Sequence, residues 1–270
     1  LLQGRPFAAK SLQFTQTQRR LTSSMIIIAL ANQKGGVGKT TTAVTLSSGF
    51  ALKNKRTLLI DLDPQGHIAF SFGVDKKPSL YQWLVLEEPL DSLVETVRPD
   101  LDILSSDKRT ESVKRHITVM NFRETILAEH LHESNYDVII LDMAPSLDIL
   151  HINGLVASDW VLIPTRPDAM AVDGVKEILL TMSEISQRGH QFAGYSILPT
   201  FFDRTTRETV TQFQEIVAAF GENVLPPIPQ DTKVREAAAY GRTLWEYSPN
   251  SPAMIGYMDG KIQVDRKSVV

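Results

Sequence analysis

The chain contains no cysteine in its 270 residues. This absence excludes disulfide bonds, thiolate metal sites and cysteine-ligated iron–sulfur clusters. A dominant charge of one sign is also lacking, because 28 Lys and Arg residues nearly balance 31 Asp and Glu residues, for a net charge of −3. No global positive field therefore indicates a nucleic-acid partner, and such a partner would have to meet a local basic patch.

Long hydrophobic runs are lacking too. The longest apolar runs, such as "MIIIALA" and "DVIILDMA", have the length of a strand. They are far shorter than the roughly 20 residues that a membrane-spanning helix needs. Hydrophobic residues make up 43% and charged residues 22% of the chain, which is the composition of a soluble globular protein able to bury the core of one large α/β domain.

Residues 1–24 differ from the rest of the chain. They carry four basic residues and no acidic residue, with abundant Ser, Thr and Gln. This composition is typical of an organellar transit peptide. An added upstream extension is the alternative that we favour, because Met25 opens the first strand directly. In both cases we expect residues 1–24 to be disordered, which leaves residues 25–270 as one domain without an internal repeat or linker.

Apolar runs of strand length recur along the chain, with helical periodicity between them. The runs cover residues 25–31, 56–63, 101–106, 136–143, 159–165 and 192–200. Their nearly continuous apolar character predicts parallel strands that are buried on both faces. The segments between them include predicted helices over 40–53, 121–134, 171–188 and 206–220. This alternation predicts a single α/β domain with an open, mostly parallel twisted sheet and helices on both faces, and it places ligands at the carboxyl ends of the strands.

The segment "KGGVGKTT", residues 34–41, follows the first strand and precedes a helix. It departs from the strict phosphate-loop pattern because Gln33 stands where the first glycine should be. Its glycines allow positive φ angles and a backbone that closes around phosphate oxygens. We expect Lys39 to meet the β- and γ-phosphates and Thr40 to bind Mg²⁺. The order of strand, loop and helix disfavours a glycine-rich turn with incidental lysines and predicts a P-loop NTPase.

Carboxylates end two further strands. "LLIDLDPQG" carries Asp61 and Asp63, and "VIILDMAPS" carries Asp142. A carboxylate near a triphosphate can hold Mg²⁺ or position the attacking water. We assign the metal role to Asp142 and expect Asp63 to meet the γ-phosphate. Alternatively, these residues are simple turn formers, since Asp-Pro is common in turns.

Four segments, "KGGVGKTTT", "DLDPQGH", "YDVIILDMAPS" and "VLIPTRPDAMAVDG", occur in the order and spacing of the ParA/MinD family of deviant Walker A ATPases. The resemblance covers about residues 25–247. "SILPTFFDRTT" and "PPIPQDTKVREAAAYGRTLWEY" are most similar to the ParA/Soj branch. One departure is Asp142-Met143-Ala144-Pro145, where many relatives read Asp-x-Pro-Pro. It leaves the carboxylate intact and changes only the local turn.

The resemblance implies an ATPase that uses ATP/ADP and Mg²⁺ and closes into a homodimer with ATP sandwiched between the subunits. Lys34 then matches the signature lysine that reaches the partner's phosphates, and it acts in catalysis together with Lys39 and Asp63. The implied metal residues are Thr40, Asp63 and Asp142. The implied nucleotide-binding residues are Lys34, Gly35, Gly36, Val37, Gly38, Lys39, Thr40, Thr41, Asp63, Asp142, Thr200, Phe201, Pro229, Gln230 and Asp231.

The resemblance also implies DNA binding without sequence preference, through basic residues in the second half of the chain. The family's basic positions fall near Arg204 or Arg207 and at Lys233, with Arg235 and Arg242 close by. Such side chains would neutralise phosphates and read no bases. Because residues 151–250 hold eight Lys and Arg residues against twelve Asp and Glu residues, an ordinary solvated face is the alternative.

The resemblance therefore implies an ATP-switched, DNA-binding ATPase that partitions plasmids or chromosomes. By the same resemblance it would hydrolyse ATP slowly alone, respond to a ParB-like adaptor, and be cytoplasmic and nucleoid-associated when ATP-bound. Positioning of a protein cargo on the nucleoid is the first alternative. A MinD-like membrane switch is disfavoured, because the tail "MDGKIQVDRKSVV" makes a poor amphipathic helix. The absence of cysteine excludes a cluster-bearing relative such as the nitrogenase iron protein. A biotin-pathway ligase is disfavoured because the middle region, residues 79–106, resembles ParA proteins.

Overall fold

The computed structural model describes residues 25–259, and within this range the chain forms one seven-stranded sheet. The strands are β1 (Ile26–Leu30), β2 (Thr57–Asp61), β3 (Glu95–Arg98), β4 (Leu101–Leu104), β5 (Val138–Asp142), β6 (Trp160–Thr165) and β7 (Gly194–Pro199). Their order is β3-β4-β2-β5-β1-β6-β7. The pairing is parallel except between β3 and β4. This confirms the predicted open, mostly parallel sheet.

Within the described range, helices lie between the strands, except between β3 and β4, which a two-residue turn joins, and four more helices follow β7. The helices are α1 (Lys39–Ala51), α2 (His67–Phe72), α3 (Ser79–Leu86), α4 (Leu90–Leu93), α5 (Thr110–Thr118), α6 (Ile126–Leu131), α7 (Ile149–Ala157), α8 (Ala171–Gln187), α9 (Arg207–Phe220), α10 (Lys233–Ala239), α11 (Leu244–Tyr247) and α12 (Pro252–Asp259), with a short 3-10 turn over Gly221–Asn223. None of these helices has the length and apolar character to cross a bilayer.

The sheet separates two hydrophobic cores, as the central strand β1 shows. Ile27 and Ala29 pack into one core, whereas Ile26, Ile28 and Leu30 pack into the other. Because side chains alternate between the faces of a strand, an apolar run that is buried on both faces requires a helical layer on each side. One layer includes α7 and α8, and the other includes α1 and α12.

Two elements differ from the prediction. The helix predicted over residues 121–134 is confined to Ile126–Leu131. The preceding turn contains Phe122, which has a φ of +53° and is exposed, so it cannot continue a right-handed helix. The edge strand β3 was not predicted, because its "ETVR" sequence is polar and only one neighbour, β4, pairs with it. The predicted extension, residues 1–24, and residues 260–270 of the proposed tail lie outside the described residues.

Candidate active site

The site lies where the phosphate loop leaves the central strand of the sheet. β1 pairs with β5 in a register that sets Leu30 opposite Asp142, and β2 pairs with β5 so that Asp61 is also opposite Asp142. The strands are parallel, so their carboxyl ends meet at one edge of the sheet. The loop after Leu30 and both carboxylates therefore converge there, as the strand endings predicted.

The phosphate loop has the backbone that its glycines allow. Gly36 and Gly38 have φ angles of +71° and +85°, in the left-handed region that favours glycine. A side chain on Gly36 would find no atom within 4 Å, so the loop surface is open there. α1 begins at Lys39 without a side-chain cap, which leaves first-turn N–H groups and the positive end of the helix dipole for an anion.

Lys39 spans the base of this loop. Its Nζ atom donates to the carbonyl oxygens of Asn32 at 2.9 Å and Lys34 at 3.0 Å. Burial lowers the pKa of Lys39, while the negative charges of Asp142 and Asp63 act in the opposite direction. The ammonium group is thus held under the loop, at the same edge as both carboxylates.

Asp142 is buried and lacks the partners that a buried carboxylate requires. Neither of its oxygens accepts a hydrogen bond from a described residue. Burial is the main cause that raises its pKa to about 7, with the charge of Asp63 adding to the rise. The Thr40 hydroxyl and the Lys39 ammonium oppose this shift, although the Thr40 contact does not meet the geometry of a regular hydrogen bond.

Two unpartnered carboxylate oxygens at a phosphate-binding edge fit a hydrated Mg²⁺ ion. Among residues 25–259 no group of three or more His, Asp or Glu side chains converges as an all-protein metal site. Mg²⁺ does not require one, because it keeps several waters and binds one or two protein groups plus the substrate phosphates. Asp142 and the neighbouring Thr40 are therefore residues that could hold this ion.

Asp61, which had no assigned role, supports the loop after β2. The fully buried carboxylate accepts from the backbone N–H of Asp63 at 3.0 Å and from that of Ile68 at 3.2 Å. Burial, followed by the adjacent charge of Asp142, raises its pKa well above the usual range, and the two N–H groups oppose the rise. This side chain thus fixes the segment that carries Asp63.

Asp63 lies in a turn of that segment. Its carboxylate accepts from the backbone N–H of Gln65 at 2.9 Å, and its carbonyl oxygen accepts from Gly66 N–H at 3.0 Å and from the Ser106 hydroxyl. The turn-forming role is therefore real. Asp63 is nevertheless only partly buried and acts electrostatically on both Lys39 and Asp142, so it also lies at the site.

The wall next to the loop is formed by Thr200 and Phe201. The Thr200 hydroxyl donates to the carbonyl oxygen of Val37 at 2.8 Å. Phe201 has a φ of +53°, and its ring lies 3.5 Å from the position that a Cβ atom on Gly38 would take. The guanidinium of Arg166 lies 5.8 Å from the centre of that ring. Thr200 and Phe201, which the resemblance implied as nucleotide-binding residues, thus both contact the phosphate loop.

The segment 229–231 runs beside Phe202. The Phe202 N–H donates to the Ile228 carbonyl, and the Gln230 N–H donates to the Phe202 carbonyl, each at 3.0 Å. The carboxylate of Asp231 accepts from the backbone N–H groups of Lys233 at 2.9 Å and Ala253 at 3.2 Å. Pro229 and Gln230 therefore lie next to the wall, whereas the Asp231 side chain is engaged at the starts of α10 and α12.

Lys34, the second lysine of the loop, has a side-chain partner that Lys39 does not share. Its ammonium forms an ion pair with the carboxylate of Asp168, in the turn after β6. The Lys34 side chain remains 44% exposed. Sequence reasoning did not assign Asp168, although "VLIPTRPDAMAVDG" was one of the segments that carried the resemblance.

The sequence also did not predict a buried histidine near the site. His151, in the first turn of α7, is 3% exposed, and neither ring nitrogen has a regular hydrogen bond within the described chain. Burial lowers its pKa to about 4, while the Asp148 carboxylate and the Ala144 backbone act against the shift. No motif indicated this residue, because its burial depends on how α7 packs against the segment after β5.

The predicted DNA-contacting residues are all exposed, in two groups. Arg204 and Arg207 lie at the start of α9. The second group is on and just after α10, where Lys233 forms an ion pair with Glu236 at 2.8 Å. Arg235 and Arg242 have no ion-pair partner within residues 25–259. Because they are exposed, these residues are available to a phosphate backbone. The carboxylate of Glu236 offsets the positive charge of Lys233.

The sequence of this chain matches a family model and the sequences of known partition ATPases. A family model described as an AAA domain (AAA_31) matches residues 25–193, more than half of the chain. The chromosome-partitioning ATPase Soj of Thermus thermophilus is 36% identical over 232 residues, which cover 85% of this chain and 91% of the relative. The sporulation initiation inhibitor protein Soj of Bacillus subtilis is 33% identical, covering 86% of this chain and 95% of the relative.

Solved structures share the fold. Apo McdA from Cyanothece superposes with a TM-score of 0.80 at 19% identity, covering 88% of this chain and 98% of that chain. A plasmid partition protein from Borrelia burgdorferi bound to AMPPNP gives 0.76 at 26% identity, covering 87% and 96%. Cobyrinic acid a,c-diamide synthase from Mycobacterium smegmatis with bound ADP and magnesium gives 0.71 at 30% identity, covering 80% and 91%.

Proposed function

Because this chain belongs to the ParA/Soj family of partition ATPases, we propose that it is an ATP-hydrolysing switch that dimerises around ATP and binds DNA without sequence preference. Its task is the segregation or positioning of DNA, such as a plasmid or chromosome. The names of its relatives, chromosome-partitioning and plasmid partition proteins, support this cargo. A ParB-like adaptor would stimulate hydrolysis, and the protein would be cytoplasmic, on the nucleoid when ATP-bound.

One observation carries the proposal: the two lysines of the phosphate loop have different surroundings. Lys39 is buried and bonds to the loop's own carbonyl oxygens. Lys34 is exposed, and its ammonium lies outside the loop on Asp168. This geometry suits a division of roles in which Lys39 meets the phosphates of its own subunit and Lys34 meets those of the partner subunit. A cation supplied from the opposite subunit stabilises charge on the phosphates as an arginine finger does.

The remaining residues of the site take roles that their positions allow. Thr40 and Asp142 would hold Mg²⁺, which would neutralise charge on the phosphates. Asp63 orients the attacking water from the turn that Asp61 supports. Thr41 meets the α-phosphate from the first turn of α1, through its N–H and hydroxyl groups. The wall around Phe201 and the segment beginning at Pro229 enclose the adenine.

Size-exclusion chromatography with ATP or ADP tests the trans role of Lys34. The Lys34→Ala variant should bind nucleotide and remain monomeric with ATP, because it lacks the cation that bridges the two subunits. Lys55→Ala, which removes an exposed lysine after α1, is the matched control and should dimerise as the wild type does. Normal ATP-dependent dimerisation of Lys34→Ala would overturn the proposed role.

DNA binding is tested with duplex DNA across a salt series, once with ATP and once with ADP. The ATP-bound dimer should bind more tightly and lose affinity steeply with salt, with a log–log slope of about −0.9 for each phosphate contacted. Arg235→Ala and Arg242→Ala should each reduce that slope by about one. Equal affinity for DNA with ATP and with ADP would contradict the proposed nucleotide-dependent switch in DNA binding.

A further inference from the structure

Tyr240 presents an aromatic ring to solvent directly after α10. The residue is 70% exposed. Its ring stacks on that of Tyr247, with 5.7 Å between the ring centres and 16° between the planes. Since Tyr247 covers one face of the ring, this exposure leaves the other face open. An open aromatic face is a surface on which a planar group can stack.

The backbone that carries this ring is fixed. Gly241, the next residue, has a φ of +62°, and a Cβ atom there would lie 2.6 Å from the Cα of Gly73. Its carbonyl oxygen accepts from the Arg98 guanidinium at 3.2 Å. The adjoining α11 begins with a capping box between Thr243 and Glu246. Tyr240 therefore extends from a close contact between two backbone turns, so ordering it on binding would cost little entropy.

Tyr247 is held by contacts with two residues of α10. Its hydroxyl donates to the Glu236 carboxylate at 2.8 Å, and the Lys233 ammonium lies 5.9 Å from the centre of its ring. Glu236 also accepts from Lys233 at 2.8 Å, so this carboxylate already has two donors. The second ring is thus a fixed support for Tyr240.

Basic residues precede and follow Tyr240 in the chain. Lys233, Arg235 and Arg242 are exposed on the same short stretch of chain. Glu236 offsets the charge of Lys233, whereas neither arginine has an ion-pair partner in the described part of the chain. A stacking ring with cations beside it is the combination by which proteins hold single-stranded nucleic acid.

We propose that Tyr240, supported by Tyr247, is a stacking platform for an unpaired base of single-stranded nucleic acid, with Arg235 and Arg242 contacting the phosphates on either side. This inference extends the proposed DNA binding and rests on it for the role of the arginines. The occupant is single-stranded because both faces of a base inside a duplex are covered by neighbouring base pairs. The platform would let the protein hold melted or gapped segments as well as duplex.

The test measures binding of fluorescently labelled oligo(dT) and of a duplex of equal length to the full chain with ATP. The wild type should bind both. Tyr240→Ala should weaken oligo(dT) binding by about 5- to 150-fold and leave duplex binding unchanged, because one base–aromatic stack is lost. Tyr240→Phe should retain wild-type affinity, since the ring remains. Phe122→Ala, which removes another exposed aromatic residue (64% exposed), is the matched control.

The outcomes separate this inference from the proposed function. If the wild type binds duplex but not oligo(dT), or if Tyr240→Ala binds oligo(dT) as the wild type does, the platform is overturned and duplex binding stands. If the wild type binds oligo(dT) in a Tyr240-dependent manner but does not bind duplex, the platform is supported and the proposed duplex binding fails. If Tyr240→Phe lost binding of both oligo(dT) and duplex, this would also contradict a role of the Tyr240 ring in stacking on a base.

Discussion

The ammonium of Lys34 and the carboxylate of Asp168 form an ion pair between the phosphate loop and the turn after β6. The two residues are 134 positions apart in the chain. Lys34 is the residue that we propose to act on the partner subunit's ATP, so in the isolated chain Asp168 holds it in place. Dimerisation would require Lys34 to leave this contact.

Removing the carboxylate should therefore ease dimerisation. We expect Asp168→Asn to dimerise with ATP at a protein concentration up to about 30-fold lower than the wild type, because each of the two subunits gives up a partly exposed ion pair that contributes about 0–1 kcal/mol. Analytical ultracentrifugation with ATP and Mg²⁺ measures this midpoint. Asp173→Asn, which removes an exposed carboxylate from α8, is the control. A weaker dimer in Asp168→Asn would mean that this carboxylate supports the interface.

Asp63 gives a prediction about turnover. Asp63→Ala should still bind ATP but hydrolyse it at least about 100-fold more slowly, because a group that orients the attacking water contributes about 10²–10⁴-fold. The variant should accumulate as an ATP-bound dimer. A steady-state phosphate-release assay and chromatography with ATP test both outcomes, with Asp75→Ala, an exposed loop carboxylate, as control. Wild-type turnover would leave Asp63 only its turn-forming role.

His151 predicts a pH dependence of stability. Burial lowers its pKa from 6.5 to about 4, so the unfolded chain binds the proton more readily between these values. The stability contributed by the neutral ring is complete above about pH 6.5 and is lost progressively as the pH falls from 6.5 to 4. Between pH 7.5 and pH 5 this group alone should remove about 2 kcal/mol of the free energy of unfolding.

Urea denaturation at the two pH values measures this loss. His151→Gln should show a smaller decrease of stability on acidification than the wild type, because its side chain does not titrate. His132→Gln, which removes an exposed histidine, should behave as the wild type does. An equal decrease in His151→Gln and wild type would show that other groups account for the acid sensitivity.

A buried hydrogen bond joins the phosphate-loop helix to α12. The hydroxyls of Thr42 and Tyr257 are 2.9 Å apart, and both residues are buried. Tyr257→Phe leaves the Thr42 hydroxyl without this partner and should lower the free energy of unfolding by about 1–3 kcal/mol. Adding Thr42→Val should cost less than the sum of the single changes, because no orphaned hydroxyl remains. Strictly additive urea-denaturation energies would contradict this coupling.

The sequence predicted most of the sheet because buried parallel strands are apolar throughout. β1, β2, β4, β5, β6 and β7 all lie within predicted runs. The edge strand β3 could not be found in this way, since an edge position tolerates polar side chains. The helix predicted over 121–134 was too long, because helical spacing of apolar residues does not reveal a left-handed residue such as Phe122.

For the candidate site, the sequence predicted that Lys39, Asp63 and Asp142 lie near one another, and the structure places them at one edge of the sheet. This could be predicted because Asp63 and Asp142 follow or end strands, and Lys39 belongs to the loop and helix after the central strand. The roles of these residues stay predictions. For Asp231 the resemblance implied a nucleotide contact, and the structure shows its carboxylate accepting from backbone N–H groups at the starts of two helices. Short polar side chains can satisfy a helix start or a ligand, and spacing alone does not distinguish the two.

The sequence by itself determined the order of strand, phosphate loop and helix, the two loop lysines and the family, because these depend on local backbone chemistry and on neighbouring residues. Only the tertiary structure decided which distant groups meet. It placed Asp168 on Lys34, set Asp61 opposite Asp142, buried His151 and left Tyr240 exposed on Tyr247. The reason is physical: burial, desolvation and long-range pairing arise from the packing of helices and strands that lie far apart in the chain, so no local pattern records them.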